Sequence, residues 1–242
     1  MRTAKTVLTV IQERGKQKKP IERVYKLLFN RELYLNAYAK LYPNNGAMTK
    51  GVTNETVDGM SIQKIDRMIE ILREEKYQWK PARREYIKKK NGMMRPLGIP
   101  VWGDKVLQEV MRQILEAYYE PQFSEHSHGF RPNRGCHTAL QEIQVWKGTR
   151  WFIEGDISQY FDTIDHKILL EILARNIHDG RFIRLVSNML EAGYLEEWKF
   201  KQTISGVPQG GVISPILANI YLNEFDNWIE EVLIPKYTKG KR

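Results

Sequence analysis

The chain has 242 residues, of which 42% are hydrophobic and 28% are charged, so it is long enough for one large domain or two small lobes with a hydrophobic core. A single cysteine excludes an internal disulfide and a multi-cysteine zinc site, and it favours a reducing, cytoplasmic compartment. No apolar run approaches the roughly 18 to 20 residues that cross a membrane. The net charge of +9 predicts a polyanionic partner.

Residues 1–42 are predicted to be helical and basic, with apolar residues at helical spacing and Pro20 at the start of a second helix. The tyrosines and lysines of this segment either contact a nucleic acid backbone or form an amphipathic face that packs on the rest of the chain. The sequence leaves both readings open. The cations proposed for nucleic acid binding are Lys16, Lys18, Lys19 and Arg23.

Turn residues and helical periodicity predict the next elements. Gly, Asn and Pro predict a loop over residues 43–60. A helix is expected after Ser61, which is a suitable N-cap, and a second, strongly amphipathic helix over Asp104–Glu120. The second helix has the apolar face expected of a core element.

Residues 82–99 are predicted to form a basic β-hairpin around an Asn91-Gly92 turn. Pro96 cannot donate to a neighbouring strand, so the returning strand is expected at a sheet edge. The hairpin carries Arg84, an additional candidate for binding phosphate and RNA, and Lys89 and Arg95 flank the turn. Arginine suits a bidentate phosphate clamp, whereas lysine acts as a mobile point charge.

The segment after the second helix contains His126 and His128, whose spacing alone suggests a metal site. We reject that reading because the sequence offers no third ligand nearby. A helix with an inward apolar face is predicted over residues 137–146.

An apolar run over residues 151–153 predicts a buried strand, followed by Gly155 and then Asp156. A carboxylate at the end of a core strand is a ligand of the kind that Mg²⁺ prefers, and in two-metal phosphoryl transfer such a group bridges both ions. Taken alone, such an aspartate more often simply ends a strand. A helix is expected from about residue 165, with Ser158 and Asp165 as possible caps.

Residues 198–204 alternate like a strand, and 206–211 form a glycine-rich turn that allows close backbone approach to a substrate. Pro215 then sits in the first turn of a long helix with an extended apolar face.

Four motifs occur in a specific order: Arg95-Pro-Leu-Gly-Ile-Pro100, Ser127-His-Gly-Phe-Arg-Pro-Asn-Arg134, Asp156-Ile-Ser-Gln-Tyr-Phe-Asp162 and Gly206-Val-Pro-Gln-Gly-Gly211 with the helix that follows it. In this order they resemble group II intron-encoded reverse transcriptases, also called maturases. The resemblance covers the chain from about Asn44 onward. It implies an α+β fold of right-hand polymerase type, in which helices surround a small antiparallel sheet.

By this resemblance, residues 1–42 are a basic helical segment, 43–150 are the fingers with a lid loop over the template, and 151–242 are the palm. Asp156 and the carbonyl of Ile157 are implied as Mg²⁺ ligands. Lys89 and Arg95 are implied to hold the triphosphate of a deoxynucleotide. Phe161 would lie under its sugar and exclude a 2′-hydroxyl, Gln209 would contact the nucleotide or the template base, and Arg131 would meet phosphate or a carboxylate.

The family carries a Tyr-x-Asp-Asp hairpin that supplies further catalytic carboxylates, and the 242 residues contain no such motif. The chain is therefore expected to be the fingers and an incomplete palm of a longer protein, and to be inactive as a polymerase by itself. Apolar surface left uncovered in an incomplete palm suggests a homodimer.

Two functions are implied. The parent protein would be an RNA-directed DNA polymerase of a mobile element that copies intron RNA from a DNA primer. Alternatively, the basic fingers and N-terminal helices bind group II intron RNA and assist its splicing without chemistry. A diversity-generating or retron-type reverse transcriptase is a third reading, against which the 43–60 loop and the Gly-Phe-Arg-Pro segment argue.

Overall fold

The computed structural model describes residues 2–88, 92–197, 199–203, 205–207 and 210–238. The helices are α1 (Ala4–Lys16), α2 (Arg31–Leu41), α3 (Ile62–Arg73), α4 (Trp102–Tyr119), α5 (Cys136–Gln144), α6 (Tyr160–Thr163), α7 (His166–Asn176), α8 (Gly180–Leu190), α9 (Ser214–Trp228) and α10 (Ile234–Thr238). The strands are β1 (Ile21–Glu22), β2 (Ala82–Lys88), β3 (Met94–Ile99), β4 (Ile177–His178), β5 (Tyr194–Glu196) and β6 (Lys199–Lys201).

Helix α4 lies at the centre of the core, and α1, α2 and α9 pack against it. The predicted apolar face of this helix is confirmed, because its side chains at helical spacing are fully buried: Val106, Leu107, Val110, Met111, Ile114, Leu115 and Tyr118. Because α4 is buried on several sides, the helices that pack against it are held in place. It therefore positions both the N-terminal helices and the start of α9.

The N-terminal segment packs on α4 through its apolar residues, while its cations face outward. Leu33, Tyr34 and Ala37 of α2 are buried. Gly15 of α1 lies so close to α4 that an added Cβ would collide with the carbonyl oxygen of Tyr118. Pro20 does not start a helix, contrary to the prediction. The residues after it form β1, which pairs in parallel with β4, so a non-local strand pairing replaced the expected helix start.

The main sheet has the strand order β3-β2-β5-β6. The predicted antiparallel pairing of the two hairpin strands is confirmed, with Arg83 opposite Ile99 and Lys88 opposite Met94, and Asn91 of the predicted turn lies outside the described residues. Strand β3 lies at an edge, as Pro96 required. The sheet is antiparallel except for β2 and β5, which run parallel. The predicted α+β fold is confirmed, although the short strand β6 covers only residues 199–201 of the predicted 198–204 strand, and positions 198 and 204 lie outside the described residues.

The predicted buried strand at 151–153 is wrong, because these residues form no regular structure and are exposed. Trp151 is 87% exposed and Ile153 94% exposed. A strand needs a neighbour to satisfy its backbone groups, and no strand of the described residues pairs with this segment. The predicted inward face of the preceding helix is also uncovered, since Leu140 and Ile143 of α5 and Trp146 beyond its end are exposed.

The 43–60 loop is held on α4 and β2 rather than free in solvent. Lys105 of α4 is buried and donates hydrogen bonds to the carbonyl oxygens of Gly46 (3.2 Å) and Thr49 (3.1 Å). Burial lowers the pKa of Lys105, and the charge of Arg83 lowers it further. Arg83 itself donates to the carbonyl of Lys50 at 2.8 and 3.0 Å. The loop is therefore attached at both the helix and the hairpin.

The buried carboxyl group of Asp104 connects α4 with the segment after α3. It accepts hydrogen bonds from the Tyr77 hydroxyl (2.6 Å) and the Lys80 amide (3.0 Å). Burial raises the pKa of Asp104 to about 6, although these hydrogen bonds act to lower it. The folded state therefore binds the proton more tightly than the unfolded state, whose ordinary pKa is 3.8.

Because its pKa is raised, ionisation of Asp104 lowers the free energy of unfolding as the pH rises from about 4 to about 6. Above that range the loss is constant. Asp104→Asn removes this titration. We therefore expect the difference in unfolding free energy between the variant and the wild type to shift by about 2 kcal/mol in favour of the variant when the pH is raised from 4.5 to 7.5. Urea unfolding of both proteins at several pH values measures this difference. A difference that does not change with pH would contradict the raised pKa.

Among the described residues, no helix combines the length and the apolarity needed to cross a membrane.

Candidate nucleotide-binding site

Helix α6 carries Phe161, the side chain predicted to lie under a nucleotide sugar. The helix is fixed to α9 because the hydroxyl of Tyr160 donates to the carbonyl of Ala218 at 2.7 Å. The Phe161 ring is partly buried and makes edge contacts with the rings of Tyr160 (5.7 Å between centroids) and Phe130 (6.3 Å). Its surroundings hold the ring in place while part of it remains accessible.

The glycine-rich turn docks directly on α6. The Gly206 amide donates to the carbonyl of Ile164, and the Val207 amide donates to the carbonyl of Phe161, both at 2.8 Å. His166 Nε2 lies 2.7 Å from the Gly206 carbonyl oxygen, which it reaches as a donor. Gly206 has a φ of +86°, and a Cβ there would lie 2.7 Å from the Phe161 carbonyl oxygen. Two motifs more than forty positions apart are thus joined through backbone atoms.

The far end of the same turn contacts the hairpin. Gly210 has a φ of +106°, and a Cβ there would lie 2.7 Å from the carbonyl oxygen of Gly98 in β3. The Val212 amide donates to the Gln108 side chain at 2.8 Å, which attaches the start of α9 to α4. The turn therefore bridges α6 and the basic hairpin. Gln209, the predicted nucleotide contact within it, lies outside the described residues.

A cavity of about 300 Å³ opens between the hairpin and the docked turn. Arg84 lines it, and the Arg84 guanidinium lies 3.7 Å from the centre of the Tyr194 ring in β5. Its Nε is buried and has no hydrogen-bond partner among the described residues. The other lining residues are Ala82, Pro96, Gly98, Asp162, Gly193, Gln202, Thr203, Ser205, Gly206 and Val207. Because Arg84 brings a positive charge and an unpaired donor to its lining, this cavity is a candidate site for an anionic group.

The two predicted triphosphate ligands are placed only in part. Arg95 is exposed on the edge strand β3, opposite Ile87 of β2. Lys89 lies outside the described residues. The pairing of β2 with β3 beside them is as predicted, and the roles of Lys89 and Arg95 stay predictions.

The predicted metal ligands Asp156 and Ile157 lie in an exposed segment without regular structure. Asp165 is occupied as the N-cap of α7, where its carboxylate accepts from the Ile168 amide at 3.0 Å. Within the described ranges, no group of three His, Cys, Asp or Glu side chains is arranged to hold a metal ion. The described residues therefore do not by themselves form a complete site for a divalent ion.

The predicted RNA-binding cations lie in three different environments, and one of them, Arg84, lines the cavity described above. Lys16, Lys18, Lys19 and Arg23 are exposed around the end of α1. Arg131, in contrast, is buried, and its guanidinium binds the carboxylate of Glu120 at 3.1 and 3.2 Å and the carbonyl of Ser127 at 2.7 Å. Of the two predicted partners of Arg131, the structure shows the carboxylate. We therefore correct its assignment to RNA binding, since the buried guanidinium of Arg131 donates within the protein and holds the 124–131 loop.

The two histidines of this loop also bind within the protein. His128 contacts Thr138 and Glu142 of α5, both at 2.8 Å, and His126 contacts the same Glu142 carboxylate. Hydrogen bonds from His128 and His126 lower the pKa of Glu142.

The sequence did not single out Tyr194, Asp162 or Gln108 as site residues. Tyr194 stacks with Arg84, Asp162 lines the same cavity, and Gln108 holds the start of α9. The two contacts and the cavity each bring together segments that are distant in the chain, so local periodicity carries no signal for them.

A basic hairpin, a glycine-rich turn docked on the helix that carries Phe161, and surrounding helices define the fingers and palm of a nucleic acid polymerase. The sequence profile of the reverse transcriptase (RNA-dependent DNA polymerase) family matches residues 87–238, and the chain belongs to this family.

The relatives of the chain include group II intron proteins, which confirms the resemblance found in the sequence. The chain is 50% identical to the group II intron-encoded protein LtrA of Lactococcus lactis subsp. cremoris over 86% of its own length and 35% of LtrA. It is 47% identical to an uncharacterized 91 kDa protein in the cob intron of Schizosaccharomyces pombe, over 95% of its own length and 29% of that protein. The chain thus spans about a third of the length of these relatives.

A solved structure supports the fold alone. The chain superimposes on one chain of a partial Cas6-RT-Cas1–Cas2 complex with a TM-score of 0.56 and 20% identity, covering 86% of this chain and 35% of that one.

Proposed function

We propose that residues 1–242 form the fingers and part of the palm of an RNA-directed DNA polymerase of the group II intron type. The observation that carries this proposal is the docking of Gly206 and Val207 onto α6, at 2.8 Å for each amide. The docking places Phe161 beside the glycine-rich turn, and Gly210 joins that turn to the hairpin. A deoxynucleotide would lie between these three elements, paired with an RNA template and facing a DNA primer.

The proposed roles follow from the chemistry of each group. Phe161 would exclude a 2′-hydroxyl by its bulk, Lys89 and Arg95 would hold the triphosphate, and Gln209 would contact the base. Arg84, whose guanidinium lines the cavity beside the turn, is well placed for a phosphate of the same nucleotide.

Mg²⁺ is the metal we propose for the complete polymerase, with Asp156 and the carbonyl of Ile157 among its ligands. When bound, such ions stabilise the attacking and leaving oxygens of phosphoryl transfer. Because the described residues supply no cluster of further ligands around Asp156, we expect no primer extension by residues 1–242 alone. Processive cDNA synthesis by this chain in a radiolabelled extension assay would contradict that expectation.

We further propose that this part of the polymerase binds group II intron RNA and so assists splicing. For this role the protein would act in the compartment where the intron RNA is made. The exposed cluster of Lys16, Lys18, Lys19 and Arg23 supports this second role. Four cations within eight positions attract the phosphate backbone and release counterions on binding.

The RNA-binding role is tested by filter binding to a folded group II intron RNA and an unrelated RNA of equal length, at several salt concentrations. The wild type should prefer the intron RNA. Neutralising the four cations to Gln should weaken binding and reduce the slope of log K against log salt by about 3. Asp156→Asn should bind RNA as the wild type does.

The matched control neutralises four exposed cations elsewhere, Lys5, Lys147, Arg150 and Lys167, and so carries the same net charge. If both quadruple variants lose the same affinity, overall charge and not the cluster at the end of α1 explains RNA binding. Equal weak binding of the wild type to both RNAs would contradict the proposed maturase role of this part of the protein.

A further inference from the structure

A second cavity, of about 460 Å³, lies between the end of the 43–60 loop, α3 and the first turn of α4. It shares no lining residue with the cavity beside the glycine-rich turn. Its volume is within the range of small-molecule sites, roughly 300 to 1,000 Å³. The proposed polymerase chemistry gives this cavity no role.

The walls of the cavity are apolar and aromatic. Tyr77 and the buried Trp102 contribute rings, and Met60, Met68 and Ile71 contribute partly buried aliphatic side chains. The Tyr77 ring is held in place because its hydroxyl donates to the buried Asp104 carboxylate at 2.6 Å. Fixed aromatic and thioether surfaces of this kind stack with flat, weakly polar groups such as nucleobases.

Two polar atoms of the lining residues are buried without a hydrogen-bond partner among the described residues. They are the indole Nε1 of Trp102 and the hydroxyl of Thr53. Buried polar groups are almost always paired in folded proteins, so these two call for an explanation. The ring nitrogens and carbonyl oxygens of a base are acceptors of the kind that both groups need.

Cations surround the mouth of the cavity. Lys64, Arg67, Lys76 and Lys80 are exposed lining residues, and they outnumber the two lining carboxylates, Glu55 and Asp104. Glu55 lies 3.8 Å from Lys64, Glu74 lies 3.0 Å from Lys76, and Asp104 is occupied by Tyr77 and the Lys80 amide. An apolar interior under a cationic rim matches a base followed by a phosphate.

We propose that this cavity binds one unpaired nucleotide of single-stranded RNA, with the base against Trp102 and Tyr77 and the adjacent phosphates on the lysine and arginine rim. The proposal rests on the proposed RNA-binding function and adds to it a site that reads an unstacked base. It is separate from the cation cluster at the end of α1, which has no residue in the cavity lining.

The test compares an adenosine RNA hexamer with a hexamer of the same ribose-phosphate backbone without bases. Gly103→Leu is the blocking variant, because Gly103 lines the cavity and a Cβ there would lie 4.0 Å from the Met68 sulfur. Gly180→Leu, at the first turn of α8 and with no atom within 4 Å of its Cβ, is the matched control. We expect the wild type and the control to bind the adenosine hexamer more tightly than the hexamer without bases. In Gly103→Leu the ratio of the two affinities should be about tenfold smaller.

A second variant guards against misfolding of Gly103→Leu. Arg67→Ala changes only an exposed rim residue, and we expect it to weaken binding of both hexamers equally. If Gly103→Leu keeps the full preference for bases, or Arg67→Ala binds both hexamers like the wild type, the proposal is wrong. If the wild type binds folded intron RNA but neither hexamer, the pocket proposal fails while the proposed function stands. Failure to bind any of the three RNAs would overturn both.

Discussion

Replacing Arg112 with Met is expected to destabilise the protein by about 3 to 5 kcal/mol, because it removes the bidentate partner of a buried carboxylate and leaves that carboxylate only the half-exposed Lys40. Glu109 of α4 is only 1% exposed. Arg112 holds it with two parallel hydrogen bonds, at 2.7 and 2.9 Å, and also pairs with Glu116. Lys40 of α2 lies farther from Glu109, at 3.4 Å, and its side chain is half exposed.

The pKa of Arg112 reflects the same contacts. Burial acts to lower the pKa of Arg112, but hydrogen bonds and the charges of Glu109 and Glu116 outweigh it, so the pKa is raised. Without the guanidinium, Lys40 would be the nearest positive charge to a carboxylate at the centre of the core. Typical domains are stable by only about 5 to 15 kcal/mol, so this loss is a large part of the total.

Urea unfolding measures the effect, and two further variants separate its causes. Arg31 pairs bidentately with Asp66 at 2.7 and 2.8 Å, but on the surface, so Arg31→Met should cost less than about 1 kcal/mol. Combining Glu109→Gln with Arg112→Met removes the stranded charge and should recover much of the loss. Equal costs for Arg31→Met and Arg112→Met would show that burial does not govern this pair.

Elements whose stability is local were predicted well from the sequence. The apolar positions of α4 repeat at helical spacing, Ser61 caps α3, and Pro96 placed its strand at an edge. In each case the residues that determine the element lie within or beside it. Helical periodicity and the chemistry of capping and of proline therefore sufficed.

Elements that depend on distant neighbours were predicted poorly. Residues 151–153 have the composition of a buried strand, but a strand forms only where another supplies hydrogen bonds. The parallel pairing of β2 with β5 joins residues more than a hundred positions apart. For Arg131 the sequence did not decide whether the partner is a phosphate or a carboxylate. Only the fold shows that the carboxylate of Glu120 lies within hydrogen-bond distance. The roles of Lys89, Arg95, Asp156 and Gln209 stay predictions for a related reason, since they need a nucleotide or a metal to be defined.

The candidate site itself depends on one residue whose replacement should affect both stability and function. Gly206→Ala places a side chain at a φ of +86°, where ordinary residues are strained by about 1 to 2 kcal/mol. Its Cβ would also lie 2.7 Å from the Phe161 carbonyl oxygen and 2.8 Å from the Asp162 Cα, which are backbone atoms that cannot rotate away. Adding the cost of overpacking, we expect a total loss of about 2 to 4 kcal/mol in urea unfolding of this chain.

The same substitution should separate the two motifs that form the nucleotide site. In a polymerase that contains residues 1–242, we expect Gly206→Ala to lower deoxynucleotide incorporation about 100-fold even where the protein is folded, since displacements near 1 Å have such effects. RNA binding should be unchanged, because Lys16 and its neighbours lie on α1 and the turn after it. Gly180→Ala, at a position with open space and no positive φ, is the matched control. If Gly206→Ala keeps wild-type incorporation, the docking of the glycine-rich turn on α6 does not position the nucleotide, and the central support for a polymerase site here is lost.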